Sequence, residues 1–514
     1  MYWDDWVFVF QKPQTLKVMY AQSGYPWMAY VQLFLQKMGN SIYIYRILTF
    51  VTYFLSGIFL LYILQKTKLF NKSTALLLTL LFLLAPLDDA RAALVSTASI
   101  VTFFLFFAAF FLLSLYLDNK KKHYYRALSL ALFLISFSLE SLLVFYATVL
   151  FYILWNIYQK NIGSTRGFQT QQLSMIKRIT LLIKPFFIQY PDFICLPILF
   201  FILKHSFLQP YGLYANYNSI GFNFFQILDL ILKSFLTSFY VPIVHALTTA
   251  VRLPILTIAV FYLVMHILKK MGVSSMLEKS NERSWREIKT VLIMGLVLFF
   301  LAVFPYCVVG KLPQNLSWDS RSQILIPLGM SFLIYYLVMM SAKINKRIPV
   351  LAVPLLISSF IVQALHTYYL YDLDWFYQQS LSEQFKQSKI IRENSTFIVQ
   401  DNLEMDIWVN KRGLSFYEVN GLLKQALKDD SRLVVHDIHS INDFAQYKEY
   451  PQYNFSKWIN KPPVYLAFSK NENYTFSWNK KFLLFFYSIF DRKAFEKNVA
   501  YLTEITSTPG RDGF

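Results

Sequence analysis

Apolar residues run in long unbroken stretches up to about residue 366 and in short, interrupted ones beyond it. Stretches close to the roughly 20-residue length of a bilayer span fall at 46–64, 97–117, 141–158, 186–203, 250–268, 290–308, 323–341 and 348–366. Two shorter runs, 73–86 and 127–139, must also cross if the loop charges are to alternate, so the pattern predicts ten crossings. Two further segments are apolar but carry polar residues on a helical period. Residues 222–248 contain Asp229, Lys233 and His245, and 24–39 contain Gln32, Gln36 and Lys37. Both are expected as amphipathic helices lying in the membrane interface rather than crossing it.

Charge sets the orientation. The loops after 64 (Lys66, Lys68, Lys72), after 117 (Lys120, Lys121, Lys122, Arg126) and after 158 (Lys160, Arg166, Lys177, Arg178, Lys184) are basic. So are those after 268 (Lys269, Lys270, Lys279, Arg283, Arg286, Lys289) and after 341 (Lys343, Lys346, Arg347). Every second loop is therefore cationic, and the positive-inside rule places both ends of the chain outside the cytoplasm. A head this short before the first crossing predicts that a further helix belongs ahead of Met1. The expected architecture is an α-helical polytopic membrane protein, residues 1–366, followed by an extracytoplasmic soluble α/β domain, residues 367–514. In that tail 375–392 and 417–428 have helical spacing, and Thr396–Gln400, Arg432–Val435 and Val464–Phe468 read as strands. The run Phe482–Phe490 is too short to span and is expected in the tail's core.

Composition agrees. Of 514 residues 56% are apolar and only 15% charged, against about 25% charged in soluble domains. The net charge of +19 comes largely from the cationic loops. No basic stripe is interleaved with aromatics on a soluble face, which argues against nucleic acid as a partner. Cys195 and Cys307 both lie in apolar runs and support neither a disulfide framework nor a zinc spacing. His436 and His439 lack further ligands nearby and read as surface, Asp429-Asp430 as a helix end, and Asn394 and Asn473 as glycosylation sequons.

The unusual polar residues fall on one side of the membrane. The outer loops carry Asp4-Asp5, then Asp88-Asp89-Ala90-Arg91, then Glu140, then a Tyr/Asn-rich stretch with Tyr211, Tyr214 and Asn216, and finally Lys311 followed by Trp318 and Arg321. Ionisable groups at the ends of membrane helices are costly unless they face a cavity or each other. A carboxylate held there can act as a general base or hold a divalent metal, and cations there can hold a phosphate. Each also has a plain reading: Asp-Asp as a solvated loop, Arg91 as a salt-bridge partner of Asp88 or Asp89, Glu140 as a turn marker, Lys311 and Arg321 as snorkelling anchors, and Trp318 as a belt residue.

Taken in order, the acidic first outer loop, the helix marked by Tyr45-Arg46, the Asp88-Asp89-Ala90-Arg91 loop, the Tyr/Asn-rich loop, the Lys311–Arg321 loop and the outer C-terminal domain resemble the GT-C superfamily of polytopic glycosyltransferases. The resemblance covers about residues 1–366. It implies inverting hexosyl transfer from a polyprenyl-phosphate sugar to a glycan, lipid or protein acceptor, at the outer face of a bacterial-type plasma membrane. It further implies that Asp4 or Asp5 is the catalytic base or metal ligand, with Asp88 or Asp89 supporting the acceptor or metal. Lys311, Arg321 and Arg91 would hold the donor phosphate, and Tyr211, Tyr214, Asn216, Trp318 and Glu140 would line the substrate site. Any cofactor would be a divalent metal, Mg or Mn, on Asp4, Asp5 and Asp88. Two other functions fit a polytopic chain: a surface-polysaccharide polymerase or ligase, and a non-enzymatic transporter or scaffold.

Overall fold

The computed structural model describes residues 2, 5–9, 12–38, 41–161, 175–215, 218–221, 223–314, 317–403, 413–441 and 458–507. The chain opens with three helices, α1 (Asp5–Val9), α2 (Pro13–Gln22) and α3 (Pro26–Lys37). The bundle begins with α4 (Ser41–Lys66), α5 (Lys72–Leu84), α6 (Thr97–Asp118) and α7 (His123–Ser136). It continues through α8 (Ser141–Phe145), α9 (Ala147–Asn161), α10 (Met175–Gln189) and α11 (Pro191–Phe207). Then follow α12 (Phe224–Phe235), α13 (Val241–Arg252), α14 (Pro254–Lys270), α15 (Val273–Glu278), α16 (Trp285–Val308), α17 (Ile326–Ile344) and α18 (Arg347–Gln387). Among the described residues seven helices are long and apolar enough to cross a membrane, or up to nine if each of two bent pairs is one span. The chain has the make-up of a helical membrane protein.

The cationic loops meet at one end of the bundle. There Lys66 pairs with Asp118 at 2.5 Å, Arg126 forks both oxygens of Asp192 at 2.6 and 2.7 Å, and Trp155 donates to the Thr67 carbonyl at 2.9 Å. The acidic motifs meet at the other end, where the Ala90 N–H donates to Ser320 Oγ at 2.8 Å. The two short apolar runs, expected to cross, form helices α5 and α7, neither of which is long and apolar enough to count among the candidate spans. At 13 residues, α5 extends about 20 Å, less than the hydrocarbon thickness. Its residues are mostly buried by protein, so lipid does not set its length.

Phe224–Arg252 forms one continuous helical stretch that passes as a span by length and composition. Contacts hold its first half at the acidic end, while Thr249 in the second half meets α18 about midway along the bundle. The Gly221 N–H donates to the Val308 carbonyl at 3.0 Å, and Ser238 Oγ lies 2.8 Å from Gln323 Nε2. Thr249 Oγ1 donates to Gln363 Oε1 at 2.5 Å. Gln363 is 16 residues (363 − 347) past the start of α18, about 24 Å from the basic end at 1.5 Å per residue. The exposed Asp229–Lys233 pair at 2.6 Å marks the polar face of this stretch.

The tail continues with α19 (Lys389–Glu393), α20 (Phe416–Leu427), α21 (Trp478–Phe490) and α22 (Arg492–Val499) around a four-stranded sheet in the order β2-β1-β3-β4. Strands β1 (Thr396–Asp401), β2 (Leu433–Val435) and β3 (Val464–Lys470) are parallel, and β4 (Thr503–Ser507) runs antiparallel to β3. α20 starts in a capping box of Ser415 and Glu418, which satisfies two end donors reciprocally. The expected strands are all present, with β4 added. Three features differ from expectation. α18 runs unbroken through position 367, and the tail's core takes in Trp6, Leu35, Tyr45 and Leu94 from the membrane part. Phe482–Phe490, expected in the core, lends it only Leu484 and Tyr487, and Phe482 and Phe490 are 72% and 70% exposed.

Candidate functional site

The segment 85–96 organises the acidic end. α5 stops before Pro86, and Asp88 then takes a left-handed backbone with φ 58°, a conformation open mainly to glycine, asparagine and aspartate. Arg91 straps the turn, donating from Nε to the Asp88 carbonyl at 3.1 Å and from Nη2 to the Leu87 carbonyl at 3.0 Å. Its guanidinium sits 4.6 Å from the centre of the Tyr53 ring, a cation–π contact. Asp88 Oδ2 lies 3.9 Å from Arg91 Nε. Burial pushes the Asp88 carboxyl up to about 7, with the Asp89 charge adding to the rise and Arg91 opposing it. Burial likewise pushes Asp89 up to about 6 against Arg91. Two adjacent carboxyls thus titrate near neutral pH, the range suited to a general base.

The loop 317–323 covers this turn. Ser320 Oγ receives the Ala90 N–H, and the Ser96 hydroxyl donates to the Ala90 carbonyl at 2.8 Å. Arg321 lies 4.3 Å from the centre of the Trp318 ring. The Tyr306 hydroxyl, which donates to Ser141 Oγ at 3.2 Å, is within electrostatic reach of both Asp88 and Arg321. Trp318 packs with Tyr2, Ala92, Ala93, Tyr371 and Trp375. The Tyr2 hydroxyl donates to the Tyr371 carbonyl at 2.6 Å. Arg46, Asp372 and Asp374 lie within electrostatic reach of Tyr2.

Asp5 belongs to the same end. It is fully buried. Its Oδ2 accepts the Tyr2 N–H and its Oδ1 the Val95 N–H, both at 2.9 Å. Both oxygens are engaged by backbone donors, so the side chain ties the first helix to the far end of the 88–96 segment. Burial raises its pKa against these donors. Asp4 and Asn216 lie outside the described residues.

The other expected residues form two separate ties. Glu140 accepts from the Tyr25 hydroxyl at 2.6 Å and pairs with Lys204, joining three parts of the acidic end. Lys311 Nζ donates to Asn218 Oδ1 at 2.8 Å, so the basic loop is bound to the Tyr/Asn-rich loop. Tyr211 donates its N–H to the Gln22 carbonyl at 2.9 Å and leaves its ring exposed, while Tyr214 lies near Tyr20.

Asp88, Asp89, Arg91, Trp318 and Arg321 are thus brought together, whereas Glu140 and Tyr211 bind elsewhere along the same end. Sequence reasoning assigned no role to Tyr53, Tyr306, Tyr371, Asp372 or Asp374. The one available signal was the pair of acids two apart in the aromatic stretch 368–377. His436 lies on the surface, with its ring nitrogens 3.3 and 2.9 Å from the carbonyls of Val399 and Leu414.

A divalent metal does not fit the described donor set. Both Asp5 oxygens already accept N–H bonds and Asp88 lies beside a guanidinium. No group of three His, Cys, Asp or Glu side chains converges among the described residues. What the arrangement offers is a proton acceptor of near-neutral pKa next to fixed positive charge. No family model matches the chain, and neither a curated protein nor a solved structure matches it.

Proposed function

We propose that this chain is a membrane glycosyltransferase of the GT-C type, moving a sugar from a polyprenyl-phosphate donor to an acceptor in the cell envelope. The observation that carries the reading is Asp88: a buried carboxyl on a left-handed backbone, pushed to about 7, between Arg91 and a tyrosine that also faces Arg321. Buried acids with perturbed titration gathered at one spot are common marks of a functional site.

In the proposed step Asp88 accepts the proton of the acceptor hydroxyl. The hydroxyl oxygen attacks the anomeric carbon, forming the new C–O bond while the bond to the phosphate oxygen breaks on the opposite face. The phosphate leaves with the bonding electron pair, and the sugar's configuration inverts. Arg321, held over Trp318, supplies positive charge for the leaving phosphate. Asp89 keeps a second negative charge near Asp88 and raises its affinity for the proton. Asp5 builds the site by fixing the 88–96 segment and takes no proton. The positive-inside rule puts the acidic end, and the tail with it, on the non-cytoplasmic side.

The test is sugar transfer in vesicles containing the full chain and a panel of polyprenyl-phosphate sugars. Wild type should consume one donor, and Asp88→Asn should lose turnover by about 10²–10⁴-fold, the usual contribution of a general base. Equal turnover by wild type and Asp88→Asn would overturn this assignment, and no transfer with any donor would overturn the glycosyltransferase reading.

A further inference from the structure

Helix α21 has an apolar face that the protein leaves bare. Leu484 and Tyr487 pack into the tail's core, while Phe482, Phe486, Ile489 and Phe490 are 72%, 45%, 59% and 70% exposed. Scattered apolar residues on a surface need no explanation, but a contiguous row of large ones marks an interaction surface.

The place of α21 says what covers it. The Phe476 ring, just before the helix, lies 6.2 Å from the Tyr377 ring of α18. Just after it, Arg492 Nη2 lies 3.4 Å from Gln379 Oε1 of the same helix. Tyr377 stands 30 residues (377 − 347) beyond Arg347 on unbroken α18. At 1.5 Å per residue this is about 45 Å, the thickness of a bilayer including both headgroup regions. Arg347 belongs to the basic loop at one headgroup level, so α21 stands at the opposite one. With 13 residues it extends about 20 Å, too short to cross and suited to lying in the plane. Its first turn carries Lys480, 3.9 Å from the Tyr474 ring centre, and Lys481, near Lys470. Aromatic residues on one face with lysines at the rim is the pattern of a helix held by an anionic lipid surface.

We infer that α21 is a membrane-surface anchor: its Phe482–Phe490 face inserts into the headgroup region of the leaflet at the acidic end and clamps the C-terminal domain over the end of the bundle. The occupant of the apolar face is phospholipid.

The experiment uses the full chain with Cys195→Ala and Cys307→Ala, reconstituted in vesicles of phosphatidylcholine and phosphatidylglycerol. An environment-sensitive fluorophore is attached at Phe486→Cys, separately at Phe490→Cys, and at Lys493→Cys as a water-facing reference. Labels at 486 and 490 should emit at shorter wavelength than the label at 493. They should be quenched by lipids brominated near the headgroup more than by lipids brominated at the chain end, as suits insertion of about 5–10 Å. Lys480→Ala with Lys481→Ala should weaken the quenching when phosphatidylglycerol is omitted less than when it is present. Labels at 486 and 490 that are open to aqueous iodide would overturn the proposal. So would labels shielded from both iodide and bromolipid, which would mean that protein, such as a second copy of the chain, covers the face.

Discussion

Asp5 accepts the backbone N–H of Val95 at 2.9 Å across 90 residues of sequence. The bond places the first helix against the segment that carries Asp88, Asp89 and Arg91, so the geometry of the acidic end depends on this buried carboxylate. Asp5→Asn turns one oxygen into an NH₂ group facing a backbone N–H. It is expected to destabilise the chain by about 1–3 kcal/mol, the usual cost of a buried group left unsatisfied. Thermal unfolding in detergent checks this, and an unchanged transition would count against the structural role.

The Asp88–Asp89 pair makes stability depend on pH. The folded Asp88 carboxyl titrates at about 7 against an ordinary value of 3.8. Between those limits the folded state holds a proton that the unfolded state has lost, so stability falls as pH rises from about 4 to 7 and levels off above. Asp88→Asn should flatten this slope. A slope unchanged by the substitution would contradict the buried, protonated carboxyl.

Turnover should move the opposite way. As general base Asp88 acts only when deprotonated, so the rate should climb through about pH 7 and reach a plateau above it. A pH profile of sugar transfer that stays flat from pH 5 to 8, a range of ~3 units around the expected midpoint, would exclude Asp88 as the base.

Close packing of α16 on α17 rests on Gly329. A Cβ there would come within 2.5 Å of the Phe299 backbone nitrogen and 2.7 Å of its Cα. Backbone cannot step aside as a side chain can, so Gly329→Ala should cost about 1–3 kcal/mol. Gly57→Ala, which meets only the Leu83 side chain, should cost less. Melting temperatures of the two variants, compared side by side, decide it.

Orientation is open to direct labelling. In a background of Cys195→Ala and Cys307→Ala, Ser219→Cys lies at the acidic end and Lys121→Cys at the basic end, both on exposed residues. An impermeant maleimide applied to intact cells should label position 219 at once and position 121 only after permeabilisation. The reverse order would invert the topology.

Much of the architecture was already present in the linear order of residues. Long apolar runs must become helices because a bilayer cannot hydrogen-bond free backbone groups, and alternating loop charge fixed which ends meet. The strands of the tail followed from their β-branched and aromatic composition. By itself, then, the sequence determined the helical membrane class, the gathering of Asp88, Arg91, Lys311 and Arg321 at one end, and the mixed tail.

Tertiary structure decided what each of those residues does. Asp5 and Asp88 look alike in sequence, each one of an acidic pair in a loop. Their surroundings differ: two backbone N–H groups occupy the Asp5 oxygens, whereas Asp88 lies buried beside Asp89 and Arg91. Phe482–Phe490 reads as core by composition, yet the fold turns it outward. Hydrophobicity states that a side chain must leave water, but only the fold states which side chains of α21 protein covers, Leu484 and Tyr487, and which it leaves bare.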